Sequence, residues 1–396
     1  MAFRGNKAAL AIKVQSAVDT PATPNNSTDV LLCYDMQPGG DNFTLANPEY
    51  TGTVDRPGDA VMGRQRSVTF NVILRGPGGS SPPSADAFVF GRILRQIGFG
   101  EIVQASPMFT AAALVSTTGQ NIVLPAAASS SDDVYNGLPL QIANQGTGAK
   151  QLSFIRDYTG SSKTALMAET FGTAPSGNVT VPAFLGYRFD AAASDIWLSV
   201  DYWLDQKRYR IVNGVTTAFQ LNFNVSNNGD TSFTYATVTI TGEVAATPES
   251  DEAAPALTPG GAMPVFRDAD WWIANKSVCG SSMTVDFNIQ AERAPCPTRA
   301  SGGEAMQIVS RTRSATLVLN EVLLATQDYN ALADAQAYHS AWLQYGNITG
   351  KTVMFGINEA RLGYSEANIA GNFVQRSQAL FIDQVDKSMS LVFPYY

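Results

Sequence analysis

Charge is what this chain has least of. Only 15% of its 396 residues are Asp, Glu, Lys or Arg, against about 25% in ordinary soluble domains, and Ala, Gly, Ser and Thr fill the difference. Interfaces are depleted of Lys, Glu and Asp, so this deficit suits a protein that covers much of its surface with other copies of itself. The net charge is −8 and no Lys/Arg run occurs; a nucleic-acid binder carries a basic face to neutralise phosphates, which argues against tight or sequence-specific DNA binding. A single histidine, His339, leaves no His pair to hold a metal. The three cysteines, Cys33, Cys279 and Cys296, are odd in number and include no C-x-x-C pair. That argues against both a disulfide framework and a zinc site, and buried or inert thiols are expected. No stretch reaches the ~18 apolar residues that span a bilayer. The opening MAFRGNKAALAIKVQSA does not read as a secretory leader, because Lys13 interrupts its apolar run. The expectation is a soluble protein with no membrane partner, made in a cytoplasm.

Catalytic signatures are missing as well. There is no G-x-S-x-G elbow, no P-loop and no G-x-G-x-x-G opening after a strand. Asp132 and Asp133 are paired carboxylates of the kind glycosidases use, but they sit in a Ser-rich turn where capping is their commoner work. His339 reads as a helix-surface or interface residue. Trp197, Tyr202 and Trp203, and Trp271 with Trp272, have the chemistry of a sugar groove, yet core or interface packing is the more frequent use of such residues. No catalytic, cofactor-binding or metal residue is assigned; the chain is expected to be no enzyme and to need no cofactor.

What is present is strand periodicity. Val68, Phe70, Val72 and Leu74 alternate with Ser67, Thr69, Asn71 and Ile73; Ile196–Leu204 and Phe219–Val225 repeat the pattern. The fold class expected is mainly β, with one short helix in each of two copies of a sandwich-like, barrel-forming unit and an inserted small all-β module. SNNGD at Ser226–Asp230 reads as a hairpin turn. One helix is expected after Ser84 as N-cap, with Phe90, Ile93, Leu94 and Ile97 on one stripe and Gly98 as its stop. A second is expected after Asp328, with Ala331, Ala335, Tyr338 and Trp342 on a stripe and Gly346 as its stop.

These elements expose an internal repeat. RQRSVTFNVIL at Arg64–Leu74 resembles RTRSATLVLNE at Arg311–Glu321, and Arg64, Arg66, Ser67 and Thr69 match Arg311, Arg313, Ser314 and Thr316 at a constant offset of 247. Gly98 and Gly346 lie 248 apart, so the strand-to-helix spacing reads as kept. Cys33 and Cys279 precede the two copies in similar apolar contexts. Residues 113–183 have another texture, short β runs separated by Gly- and Ser-rich turns, and PESDEAAPALTPGG within 247–261 reads as a solvated linker. The division expected is therefore a discontinuous first unit (1–112 with 184–250), a module at 113–183 on its outer surface, a linker at 247–261, and a second unit at 262–396. The long polar stretch Asp41–Arg64 reads as an extended hairpin or arm that orders against a neighbouring subunit.

The order of a short strand segment, a polar arm, an Arg-x-Arg strand, one amphipathic helix ending in Gly and further strands resembles the tail tube proteins of long-tailed bacteriophages (siphophages). ADAFVFGRILRQIGFG at Ala85–Gly100 is similar to the family's helix-to-turn segment. The run from DYNALADAQAYHSAWLQYGN through TVMFGINEARLGYSEANIAGNFVQRSQALFID to SMSLVF resembles its C-terminal pattern. LPAAASSSDDVYNGLPLQI and IRDYTGSSKTA resemble small β modules that decorate phage structural proteins. The resemblance implies a structural virion protein that pairs sheet edges into rings and stacks rings into the DNA-ejection conduit of the tail. With two units per chain, three chains would make a pseudo-hexameric ring. Implied partners are other copies, the tape-measure, terminator and distal tail proteins, and phage DNA passing through an acidic lumen without specific binding. The alternatives are a carbohydrate-binding tail adhesin, or another virion shell or neck component.

Overall fold

The computed structural model describes residues 7–49, 58–144, 152–171, 174–225, 233–258, 260–261, 263–266, 269–296, 303–346, 348–371 and 373–396. The proposed turn at Ser226–Asp230, and part of the Asp41–Arg64 arm, lie outside them. The fold is mainly β, as the alternation predicted, with two short helices. No helix among the described residues is long and apolar enough to cross a membrane.

The first half opens with β1 (Ala8–Val14), β2 (Val30–Leu31), β3 (Tyr34–Leu45) and β4 (Ala60–Ile73), followed by α1 (Val89–Gln96) and β5 (Phe99–Gln104). Seven strands then form a sheet of their own: β6 (Met108–Ala113), β7 (Ser116–Thr118), β8 (Asn121–Val123), β9 (Pro139–Asn144), β10 (Leu152–Thr159), β11 (Thr164–Met167) and β12 (Ser176–Val181). The chain returns to the large sheet with β13 (Ala183–Phe189), β14 (Leu198–Leu204), β15 (Lys207–Asn224) and β16 (Tyr235–Asp251). The stretch read as a linker from 247 therefore opens as strand, with Asp251 still paired to Lys207.

The second half runs β17 (Asp270–Ile273), β18 (Lys276–Ser277), β19 (Gly280–Asp286), β20 (Ile289–Glu292), β21 (Gln307–Arg311), β22 (Ser314–Asn320), α2 (Tyr329–Asp334), β23 (His339–Tyr345), β24 (Val353–Leu362), β25 (Ala367–Ala370), β26 (Phe373–Ile382) and β27 (Met389–Tyr395). All pairings are antiparallel among the named strands.

Two corrections concern the helices. The N-cap of α1 is Phe88, with no side-chain cap; Ser84 lies outside the helix, in a turn closed by Ala87 N–H on its carbonyl. Gly98, at φ 101°, does stop that helix. The second helix is about a third of the predicted length. Asp328 caps it, accepting from Ala331 N at 3.0 Å, but it ends at Asp334, and His339–Tyr345 is strand. Trp342 and Tyr338 therefore share no helical stripe with Ala331, Gly346 closes a strand, and the 248-residue spacing does not measure two equivalent helices.

That strand carries no alternation because both its faces are covered. Ala341, Leu343 and Tyr345 join the main core, while Trp342 joins a second core with Phe154, Tyr158, Leu140 and Val181 of the seven-stranded sheet. Phe184, Met354 and Val392, on β13, β24 and β27, face the same way. The β13–β27–β24–β23 layer is thus sandwiched between the main core and the small sheet, with Phe154 stacked on Trp342 at 6.1 Å. A side chain at Gly356 would meet the Phe154 ring, so only glycine permits this approach.

The two halves repeat one another in strand order and in register. The first reads β2–β1–β14–β15–β16–β4–β3 across the sheet. The second reads β18–β17–β23–(β24, β25)–β26–β22–β19. Gln37 opposes Thr69 as Thr284 opposes Thr316, and Asn42 opposes Arg64 as Ile289 opposes Arg311. Each of these positions is shifted by 247. The bulge at Phe43/Thr44 recurs at Gln290/Ala291. Likewise Asn222 opposes Tyr235 as Asn368 opposes Gln375, and Thr216 opposes Ile240 as Leu362 opposes Leu380. Register is specified wherever one face is buried, because a one-residue slip turns every side chain over; matching registers and bulges are therefore not a consequence of β composition.

α1 lies where the first half needs a plug. Gln96 accepts from Thr216 N at 2.8 Å and Thr216 Oγ1 at 2.7 Å, and donates to Gly214 and Ile196 carbonyls, both at 2.8 Å. All four hydrogen-bonding positions of this buried amide are filled. Arg92 is equally buried and pairs with Asp29 at 2.8 Å.

Candidate assembly interface

The feature that stands apart from the cores is the way the halves are joined. β15 leaves β14 after Gly214, and its far end takes β19 on the edge opposite β16. The register is Gln220↔Asp286, Leu221↔Val285, Asn222↔Thr284, Phe223↔Met283 and Asn224↔Ser282. Backbone bonds Phe287 N→Phe219 O at 3.2 Å and Val225 N→Ser281 O at 2.9 Å bracket this joint. Gln220 Nε2 donates to Asp286 Oδ1 at 2.6 Å across it. Leu221, Phe223, Met283 and Val285 are all buried. The last strand pair of one half is thus continuous with the first strand pair of the next.

A sheet built this way has two loose ends. β3 pairs only with β4, and β25 only with β26, among the described residues. Their outer edges present unpaired backbone groups, which is a template for another chain. The residues beside β25 are apolar and uncovered: Ile369 is 81% exposed and Phe373 70%. Val374 and Phe381 are exposed too. Ile369 corresponds in register to Phe223, which is fully buried. The same face of the fold is closed in one half and open in the other.

The arginines that revealed the repeat hold the strands rather than a ligand. Arg66 donates to the Pro248 carbonyl at 2.9 Å and to Glu249 at 3.2 Å, and lies over Tyr209. Arg313 sits over the Phe189 ring at 3.4 Å and donates to the Asp383 carbonyl at 3.0 Å. Burial, with Arg311 nearby, brings the Arg313 guanidinium down to about 10.

The other residues singled out in the sequence do not come together. Asp132 accepts from Gly160 N at 2.7 Å, and Asp133 from Asn136 Nδ2 at 3.0 Å, so both hold their loop. His339 opens β23 rather than lying in a helix; burial and the nearby Arg156 lower its pKa, and its Nε2 has no hydrogen-bond partner. Trp203, Trp271 and Tyr202 are buried, Tyr202 stacking on Tyr209 at 5.1 Å, and Trp197 Nε1 donates to the Met306 carbonyl at 3.0 Å. Trp272, half-buried, packs against the second core. Cys33, Cys279 and Cys296 form no disulfide; Cys33 is pushed up to about 12 by burial, while Cys279 is exposed rather than sequestered. Among the described residues no cluster of three His, Cys, Asp or Glu side chains could hold a metal ion. No protein-family model matches this chain, and no curated protein matches it either.

Sequence reasoning missed both edges. GYSEANIAGN carries no pattern beyond Gly and Asn punctuation, and Gln37–Gly40 looks like a loop because of its Pro-Gly-Gly. The available signal was Ile369, an apolar residue alone in a polar stretch.

Proposed function

We propose that this chain is a self-assembling structural protein, the tube subunit of a long-tailed bacteriophage tail, whose copies close into rings that stack into the conduit for DNA. The observation that carries this reading is the in-chain joint between β15 and β19, combined with an open β3 edge and an open β25 edge at the corresponding positions. A joint between two different surfaces propagates head to tail, and it gives a ring when the rotation closes. Two register-matched halves per chain make three chains a six-unit ring.

The sheet face turned away from the core supports a conduit. Thr69 and Thr239 hydroxyls meet at 2.9 Å, Thr237 donates to Asn71 at 2.9 Å, and Gln65 donates to Asp41 at 3.2 Å. Around them stand Asn222, Thr284, Asp35 and Asp286. On this hydroxyl, amide and carboxylate surface Arg293 is held by Glu243 at 3.1 Å, so phosphates would meet little free positive charge and DNA would slide along it without the counterion release that drives binding.

Negative-stain electron microscopy of concentrated protein, with mass measurement of the smallest stable oligomer, tests the proposal. Rings or tubes built on trimers are expected. A monomer that forms no ring at any salt concentration would refute it.

A further inference from the structure

We infer that the contact closing one chain onto the next is a second copy of the β15/β19 joint, made by β25 of one molecule and β3 of its neighbour in a fixed register. The inference rests on the assembly reading above and adds the partner strand and the pairing. β15 maps onto β24 and β25 with a shift of 146, seen in Asn222↔Tyr235 against Asn368↔Gln375, where β16 maps onto β26 with a shift of 140. β3 maps onto β19 with the shift of 247 already described. Carrying the internal joint through both shifts places Ala367 opposite Pro38, Asn368 opposite Gln37 and Ile369 opposite Met36 of a second copy.

Three observations converge on that occupant. Residues on the open edge are exposed where their counterparts are covered: Ile369 is 81% exposed and Phe223 0%, Val374 49% and Thr234 0%. The side chains also change together. Inside the chain Gln220 faces Asp286 as amide to carboxylate. At the open edges the corresponding residues are Glu366 and Gly39, a carboxylate facing no side chain, so no like-charge pair arises. The backbone, finally, marks β3 as an edge. The hydrogen-bonded pairs of the internal joint include Leu221/Val285, as the bonds at Phe287 and Val225 fix by parity. Pro38 takes the place of Val285 and has no N–H to give. Proline of this kind belongs at sheet edges and blunts promiscuous pairing, so the joint between chains lacks one bond that the joint within the chain has.

Asn368 and Gln37 take the places of Asn222 and Thr284, a non-hydrogen-bonded pair. Such pairs stand about 4.5 Å apart at Cα, within the roughly 4.4–6.8 Å that a disulfide spans. The double variant Gln37→Cys/Asn368→Cys is therefore expected to form inter-chain disulfides on mild oxidation of assembled protein, giving a ladder of cross-linked oligomers that reductant abolishes. Gln37→Cys/Glu366→Cys, two residues out of register, and each single variant are expected to give none. All three positions are exposed, and melting curves of the single variants verify that the fold survives. Rings in the microscope without the 37/368 cross-link would overturn this register and leave the assembly reading intact. Neither rings nor cross-links would overturn both.

Discussion

Truncating Ile369 to alanine separates assembly from folding. In the isolated chain this side chain is 81% exposed, so its loss removes little that holds the monomer together. In the joint proposed here it takes the place of Phe223. Fully burying an aliphatic side chain of this size contributes about 1.5–3 kcal/mol, and the fraction still open makes about 1–2 kcal/mol available per joint. That corresponds to about a 5–30-fold change in the association constant of each joint. Phe223→Ala is the matched control. It empties a fully buried site in the same register and is expected to cost the monomer about 3–5 kcal/mol. Two readouts decide: the melting temperature of dilute monomer, and the threshold concentration at which light scattering reports assembly. Ile369→Ala should leave the first unchanged and raise the second; Phe223→Ala should lower the first. An Ile369→Ala protein that assembles at the parent's threshold would refute the reasoning, as would one that melts as early as Phe223→Ala.

Two further outcomes follow from the interior. Gly356→Ala would press a methyl group into the Phe154 ring stacked on Trp342 and should cost about 1–3 kcal/mol through overpacking; an unchanged melting temperature would contradict the close contact between the small sheet and β24. At alkaline pH, Tyr202, Tyr329 and Tyr395 are pushed up to about 12, chiefly by burial, and Tyr187 and Tyr345 are pushed up further. Their folded values lie above that of a free phenol, about 10. The stability they contribute is thus complete below about pH 10 and is lost as pH rises toward and through 12. Phenolate absorbance from these side chains should appear together with the loss of β ellipticity, in one transition. Their ionisation near pH 10 with the fold intact would count against it.

The strands that alternate were legible because one face of each meets the core and the other does not. Val68, Phe70 and Val72 are buried, while Ser67, Thr69 and Asn71 are not fully so. The Arg-x-Arg repeat was legible because Arg66 and Arg313 each reach past the end of a paired strand to backbone carbonyls, a role apolar residues cannot fill. β23 was misread because Trp342 is covered by the small sheet and Leu343 by the main core; a strand buried on both faces shows no period of two, and its aromatic spacing imitated a helix. The assembly edges were illegible for a different reason. Whether an edge is open depends on what pairs with what, and backbone pairing leaves almost no imprint on residue identity.

The seven-stranded sheet occurs once per chain, although the strands that support it occur twice. Asp201 occupies, in β14, the place that Trp342 occupies in β23; it is fully buried and pairs with Arg210 at 2.6 Å. One half thus offers an aromatic platform to the small sheet and the other seals the same spot with an ion pair. In the ring proposed above, the inner wall would repeat at every half-chain and the outer relief at every whole one. The interior would then have twice the rotational order of the exterior, giving a nearly uniform bore inside a ridged sleeve.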